Sequence, residues 1–307
     1  LLEGRIAIVT GAGRGLGREE ALALAAEGAT VIVNDIGASL AGDGGDRSPA
    51  DEVVRDIVKA GGKAVANYED ISSWDGAKRT IEQAYDTYGK LDILVNNAGV
   101  LRDRMSFNMS EEEFDLVMKV HCKGHFAMCR HAAARWREAG KSGGSVYGRV
   151  INTASEAGLM GSAGNSNYAM AKAAIAALTI SIAREMGKYG VTSNFMAPRA
   201  RTRMTESMPN NSMFAKPESG FDVFHPQWPA QLVVFLASEQ AADLNGQGFI
   251  VWGGEVDVVR GWHVVSKLET PGAGLTAHDL IKRKDQLFGD QPRQPTYPRK
   301  TGQSTSI

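Results

Sequence analysis

Tyr168 and Lys172 lie four residues apart in a stretch with helical patterning, so their side chains share one helix face; Ser155 stands thirteen residues before the tyrosine. An ordinary tyrosine loses its proton near pH ~10, and lowering that to ~7 takes about 4 kcal/mol of differential stabilisation of the phenolate, at ~1.36 kcal/mol per unit. A neighbouring ammonium and a positively charged cofactor beside it both act in that direction. A serine hydroxyl at the end of a strand can hold the reacting oxygen. Taken alone, a Tyr and a Lys at helical spacing also describe many surface pairs. The three residues together read as an acid–base site acting on an oxygen.

A second constellation opens the chain. Residues 6–10 read as a strand running into Gly11-Ala12-Gly13-Arg14-Gly15-Leu16-Gly17 and then a helix. A helix N-terminus offers unpaired N–H groups and partial positive charge, and glycines let a pyrophosphate approach the backbone closely. Without a ligand the same residues make a tight strand-to-helix turn. Asp35 ends the second strand about 20 residues later, where a carboxylate accepts bonds from adenosine ribose hydroxyls and repels a 2′-phosphate. Arg14, beside the turn, could instead pair with that phosphate. The expected cofactor is NAD, because the Asp35 charge should lie at the ribose edge while Arg14 is free to swing to solvent.

These groups need a scaffold. Apolar strand-length runs alternate with amphipathic helical segments up to about residue 252, the form of repeated βαβ units. The expected fold is α/β: a Rossmann-type, doubly wound, seven-stranded parallel sheet with helices on both faces, in a single domain. Strands are expected at 5–10, 30–34, 63–67, 91–96, 148–153, 191–195 and 248–251, and helices at 16–27, 50–60, 75–88, 111–139, 166–188 and 229–237. Gly42, Gly44 and Gly45 mark an inserted loop within 37–49. A catalytic domain is expected over 1–267, then a polar tail over 268–307 holding Pro271, Pro292, Pro295 and Pro298.

Lys and Arg number 34 against 35 Asp and Glu, a balance that excludes a general nucleic-acid footprint. The two cysteines, Cys122 and Cys129, have no metal spacing and are poorly placed for a local disulfide, so a reducing, cytoplasmic setting is expected. No apolar run reaches the ~18 residues of a membrane span, and no secretory signal is recognisable.

Thr10-Gly11-x-x-x-Gly15-x-Gly17, Asn96-Asn97-Ala98-Gly99, Ser155 and Tyr168-x-x-x-Lys172 resemble the short-chain dehydrogenase/reductase family in order and spacing from residue 1 to about 252. The resemblance implies that Tyr168 exchanges a proton with the substrate oxygen, Ser155 positions that oxygen, and Lys172 binds the nicotinamide ribose while assisting the tyrosine. It further implies cofactor contacts from Asp70, Ile71, Asn97, Ala98, Gly99, Pro198 and Thr202, although Arg199 stands where the family has a glycine after the proline. An N-cap role for Asp70 is the other reading. The family's relay asparagine is His121 here, within Val120-His121-Cys122-Lys123-Gly124. An imidazole could keep a relay and would add a group titrating near pH ~6.5; a structural histidine is the alternative.

Within the family, Val33-Asn34-Asp35-Ile36-Gly37, the glycine-rich insertion, residues 62–68 and Leu101-Arg102-Asp103-Arg104 resemble one branch. This is the (3R)-hydroxyacyl-CoA dehydrogenase part of the peroxisomal multifunctional β-oxidation enzyme, in a free-standing bacterial form; its members also oxidise hydroxysteroids, and actinobacterial relatives act on CoA thioesters of sterol side chains. Met204, Met208, Met213, Phe214, Phe221 and Phe224 could cover a bulky apolar substrate, and Arg199, Arg201 and Arg203 could meet CoA phosphates. Alternatively, the apolar residues pack under their own loop and the arginines are solvated. A hydroxysteroid dehydrogenase, a 3-oxoacyl-carrier-protein reductase and a non-catalytic NAD sensor stand as other readings. The long helices 111–139 and 166–188 are those through which family members form dimers and tetramers, so a homotetramer is expected.

Overall fold

The structure, a computed structural model, describes residues 1–38, 46–206, 211–269, 274–291 and 293. Gly42, Gly44, Gly45, Met208, Pro271, Pro292, Pro295, Pro298 and the Met213 side chain lie outside what is described. Residues 1–259 form one unit and 260–307 another. The first holds strands β1 (Ile6–Thr10), β2 (Thr30–Asn34), β3 (Lys63–Asn67), β4 (Ile93–Asn96), β5 (Gly148–Thr153), β6 (Val191–Pro198), β7 (Gly248–Trp252) and β8 (Glu255–Val259). Their order across the sheet is β3-β2-β1-β4-β5-β6-β7-β8. The order reverses between β1 and β4, which opens a crevice at the carboxyl ends of those strands.

The expected doubly wound α/β architecture is present, but the sheet has eight strands and is not wholly parallel. After β7 the chain turns at Gly253, whose φ of 48° suits glycine, and β8 returns antiparallel along β7. This strand escaped the search for continuous apolar runs because it alternates Glu255, Val256, Asp257 and Val258, all exposed at the sheet edge. Strands covered on both faces read as apolar runs; an edge strand need not.

Helices α1 (Gly15–Ala26), α2 (Ser48–Lys59), α3 (Trp74–Tyr88), α4 (Glu111–Met118), α5 (His125–Lys141), α6 (Glu156–Met160), α7 (Ser166–Met186), α8 (Arg203–Glu206) and α9 (Gln227–Ala237) complete this unit. Two apolar clusters sandwich the sheet. On one face Leu16, Ala21 and Leu24 of α1, Val53 and Ile57 of α2 and Leu232 of α9 pack with Val9, Val33 and Ile151. On the other, Ile81 of α3, Met128 and Trp136 of α5 and Ile182 of α7 pack with Ile8, Leu94 and Val150. The single helix expected over 111–139 is interrupted by a π-helical turn, Lys119–Gly124, which carries His121. The second unit contains Ala277–Lys282, opened by a Thr276–Asp279 capping box, and Lys284–Phe288.

Polar groups tie the face that bears α7 to the sheet. Asn96 Nδ2 donates to Asn152 Oδ1 at 2.9 Å, and Asn152 Nδ2 donates to Thr179 Oγ1 at 2.9 Å, linking β4, β5 and α7 through buried side chains. Replacing Asn152 by Ala removes both bonds, leaving Asn96 Nδ2 its contact with Cys129 Sγ and Thr179 Oγ1 its bond to the Ile175 carbonyl, and should lower the unfolding free energy by roughly 1–3 kcal/mol in urea titration. A change below about 0.5 kcal/mol would contradict the chain of bonds.

Candidate active site

β1 delivers the glycine turn to the crevice, and the glycines are needed first for the turn's own packing. A Cβ on Gly17 would lie 2.4 Å from the Gly11 carbonyl oxygen and 2.5 Å from Asn97 Nδ2. A Cβ on Gly13 would lie 2.8 Å from Asp35 Oδ2, the atom that accepts the Gly13 N–H at 2.8 Å. Gly11 and Gly15 take positive φ, 64° and 54°. Arg14, exposed, is the N-cap of α1 but supplies no side-chain cap, so the first turn at Gly15, Leu16 and Gly17 faces the crevice with N–H groups suited to a diphosphate. A dinucleotide phosphate group therefore fits these residues.

Asp35 is held from two sides, its Oδ1 accepting the Gly37 N–H at 2.6 Å. The anchored carboxylate ends β2, where a ribose edge would lie. Asp70 accepts from both the N–H (2.9 Å) and the hydroxyl (2.6 Å) of Ser72. The N-cap of α3 is Ser73, which accepts the Gly76 N–H at 3.4 Å, so the capping alternative for Asp70 is excluded. Ile71 is buried, its Cδ1 against Gly124 of the π-turn.

The Asn97 side chain is a strut. Its Nδ2 donates to the Thr10 and Gly11 carbonyls, both at 3.1 Å, while Thr10 Oγ1 accepts from the Asn97 and Ala98 N–H groups. β1 and β4 are thus locked together beneath the crevice, with Gly99 close against His121. Pro198 ends β6. Thr202 follows it, accepts the Thr205 N–H at 3.4 Å to start α8, and lies over Gly15.

Ser155, Tyr168 and Lys172 come together at the carboxyl ends of β5 and β6. Ser155 is the N-cap of α6, its Oγ accepting the Ala157 N–H at 3.2 Å. Lys172 is buried and its Nζ donates to the Thr153 carbonyl at 2.5 Å, 5.4 Å from the Tyr168 ring centre. Met204 of α8 brings its sulfur to 4.0 Å from Tyr168 Oη.

Burial opposes the charged form of both groups. Although Tyr168 is only part-buried as a residue, desolvation around its hydroxyl pushes the phenol up to about 12; the Ser155 hydroxyl opposes this and Asp103 adds to it. Burial likewise pushes the Lys172 ammonium down to about 7, against the pull of Cys122 and Glu20.

His121 is buried, edge-on to the Tyr168 ring at 5.3 Å, with Nε2 2.9 Å from the Val100 carbonyl and Nδ1 without a partner. Desolvation, then the Lys172 charge, holds its pKa well below the usual range. It stays neutral near pH 7, so the extra titrating group expected there is absent, for want of water around the ring. Two further residues escaped sequence reading: Asp103, whose charge reaches Tyr168, and His125, buried with both ring nitrogens unpartnered. The Arg-Asp-Arg run and a histidine one turn beyond His121 were the available signals.

The arginines after β6 also differ from expectation. Arg199 pairs with Glu156 through two 2.6 Å bonds and lies over Trp252, and Arg201 is paired with Asp222. Internal carboxylates hold both guanidiniums, leaving only Arg203 of the three for a phosphate. Phe214 packs on Phe224 and Phe221 on Trp228, so this apolar segment is partly satisfied by its own rings.

The short chain dehydrogenase family profile matches residues 5–212. The chain belongs to that family and is an oxidoreductase. It is 48% identical over 299 residues to the hydroxyacyl-CoA dehydrogenase ChsB1 of Mycobacterium tuberculosis, covering 95% of this chain and 92% of that protein. It is 40% identical over 258 residues to the peroxisomal multifunctional enzyme type 2 of Mus musculus, covering 84% of this chain but 33% of that enzyme, so it spans about a third of the peroxisomal relative. A crystal structure of a short chain dehydrogenase from Mycobacterium avium superposes with a TM-score of 0.84 at 47% identity, covering 96% and 98% of the two chains.

In cofactor-free protein the difference between wild type and Tyr168→Phe in an alkaline absorbance titration should show no phenolate below about pH 10. A difference signal rising near neutrality would contradict the desolvated phenol.

Proposed function

We propose that the chain is an NAD-dependent 3-hydroxyacyl-CoA dehydrogenase of β-oxidation, interconverting a secondary alcohol and a ketone. The observation that carries this reading is the meeting of Ser155, Tyr168 and Lys172 beside the glycine turn at one end of the sheet. The name of the mycobacterial relative supports the thioester substrate, and the anchored Asp35 carboxylate supports NAD over NADP. A bound nicotinamide supplies the hydride acceptor and, oxidised, a positive charge. Ser155 Oγ donates to the substrate oxygen and fixes the carbinol over the crevice. Tyr168 Oη would take the proton from the alcohol oxygen, with the Lys172 amine, 5.4 Å from the tyrosine ring centre, holding a donor beside it, and a bound nicotinamide would accept the hydride from the carbinol carbon. The balance is alcohol and NAD⁺ giving ketone, NADH and a proton. His121, edge-on to the tyrosine, serves as a neutral relay or as packing.

Two exposed apolar side chains, Phe126 of α5 and Met170 of α7, 46% and 53% exposed, lie on the helices that family members use for assembly. They support a homotetramer. Among the described residues no helix is long and apolar enough to cross a membrane, and both cysteines are free.

A substrate panel tests the assignment: (3R)-hydroxyacyl-CoA thioesters including a sterol side-chain thioester, free hydroxysteroids, and 3-oxoacyl groups on carrier protein, each with NAD(H) and NADP(H). Thioester turnover with NAD is expected, reduced roughly 10²–10⁴-fold in Tyr168→Phe while NAD binding persists. Inert thioesters beside rapid steroid turnover, or a clear preference for NADPH, would overturn it. Light scattering should give four times the 32.9 kDa chain mass; a one-chain mass would refute the tetramer.

A further inference from the structure

Arg199 stands where the family pattern has a glycine after Pro198, and its guanidinium is engaged inside the fold. Its Nε donates to Glu156 Oε2 and its Nη2 to Glu156 Oε1, both at 2.6 Å. In this two-pronged arrangement a guanidinium and a carboxylate fix each other's direction as well as their distance. The two side chains are 19% and 23% exposed, so water screens the pair far less than it does a surface contact.

The arginine end of the pair is rigid. β6 closes at Pro198, and the Arg199 N–H continues its ladder by donating to the Val251 carbonyl of β7 at 2.9 Å. The guanidinium lies over the Trp252 ring, 4.0 Å from its centre. Asp257 and Glu255 of β8 add a weaker attraction from the sheet edge.

The glutamate end needs support. α6 has five residues, too few to persist on its own hydrogen bonds. Ser155 joins it to the sheet. The Ala154 N–H before it bonds the Met196 carbonyl of β6 at 2.7 Å, whereas the Ser155 Oγ accepts the Ala157 N–H at 3.2 Å and its carbonyl the Gly158 N–H at 3.0 Å. The direction of the hydroxyl therefore follows the first turn of α6. Beyond that turn Gly158 lies against the α7 backbone, where an added Cβ would be 2.5 Å from the Lys172 carbonyl carbon and the Ala173 nitrogen. Leu159 packs on the cluster of Ala154, Ile175 and Phe195. These contacts hold the far side of α6; Glu156 holds the side next to Ser155.

We propose that Arg199 is a positioning residue for Ser155: anchored on the β6–β7 ladder and on Trp252, it grips Glu156 and so sets the first turn of α6, and with it the serine hydroxyl that holds the substrate oxygen. The proposal rests on the dehydrogenase reading above. Arg199 touches neither substrate nor cofactor in this scheme and acts through Glu156. A glycine at its position could make no such tether. The effect on rate follows from geometry: displacing a group by ~1 Å from its productive place costs ~10²-fold, and losing an oxyanion donor outright ~10²–10³-fold.

Arg199→Ala and Glu156→Gln break the pair from either end, the second with almost no change of shape, so it carries the comparison should the alanine variant not fold. Each should lower kcat for alcohol oxidation about tenfold to hundredfold while KM for NAD moves by less than about twofold. In a Ser155→Ala background the same substitutions should lower kcat by less than about twofold, because the group they position is gone. A second readout needs no turnover. In cofactor-free protein, amide hydrogen exchange over residues 156–161 should quicken about tenfold in both variants, while exchange over α1 stays as in wild type. A kcat at the wild-type value, a KM shift without a kcat loss, an equal loss in the Ser155→Ala background, or unchanged exchange over 156–161 each overturns the proposal. Should the wild type oxidise none of the alcohols, the functional reading fails, and the exchange comparison still decides whether the pair holds α6.

Discussion

The site depends on one desolvated contact, the Lys172 amine against the Thr153 carbonyl. Burial strips the amine of water, and a single short bond to the end of β5 replaces part of that hydration. The same burial stiffens the phenol against ionisation. The apolar surroundings that position the tyrosine and lysine therefore oppose the charged form of both.

The scaffold serves that contact from both faces. Asn96, Asn152 and Thr179 hold β4, β5 and α7 in mutual register, while Asn97 and Thr10 lock β1 to β4 under the glycine turn. Side-chain amides recur here because each supplies donors and acceptors at once, which a buried position between strands needs. Loss of any one moves the floor of the crevice and not merely its rim.

Much of this was legible in the sequence. The glycine turn, Asp35 and the Ser155, Tyr168 and Lys172 set have local signatures, and continuous apolar runs betray strands covered on both faces. β8 was hidden because its alternation of charged and valine residues is that of an exposed edge. The π-turn was hidden because the apolar positions on either side of it each read as helical, and a one-residue offset between them carries no residue-type signature. The pairing of Arg199 with Glu156 joins residues 43 positions apart, a distance at which spacing carries no information.

The π-turn at Lys119–Gly124 lets a helix accommodate an added residue without ending. Each residue advances an ordinary helix by about 100°, so α5 continues on a phase that α4 alone would not have given it. His121 lies within that offset, and Met128 and Trp136 still reach the core beyond it. A one-residue deletion there would return the turn to ordinary winding with Met128 and Trp136 still facing the sheet, so what the added residue provides is local: it sets His121 against Gly99 and Gly124 against Ile71.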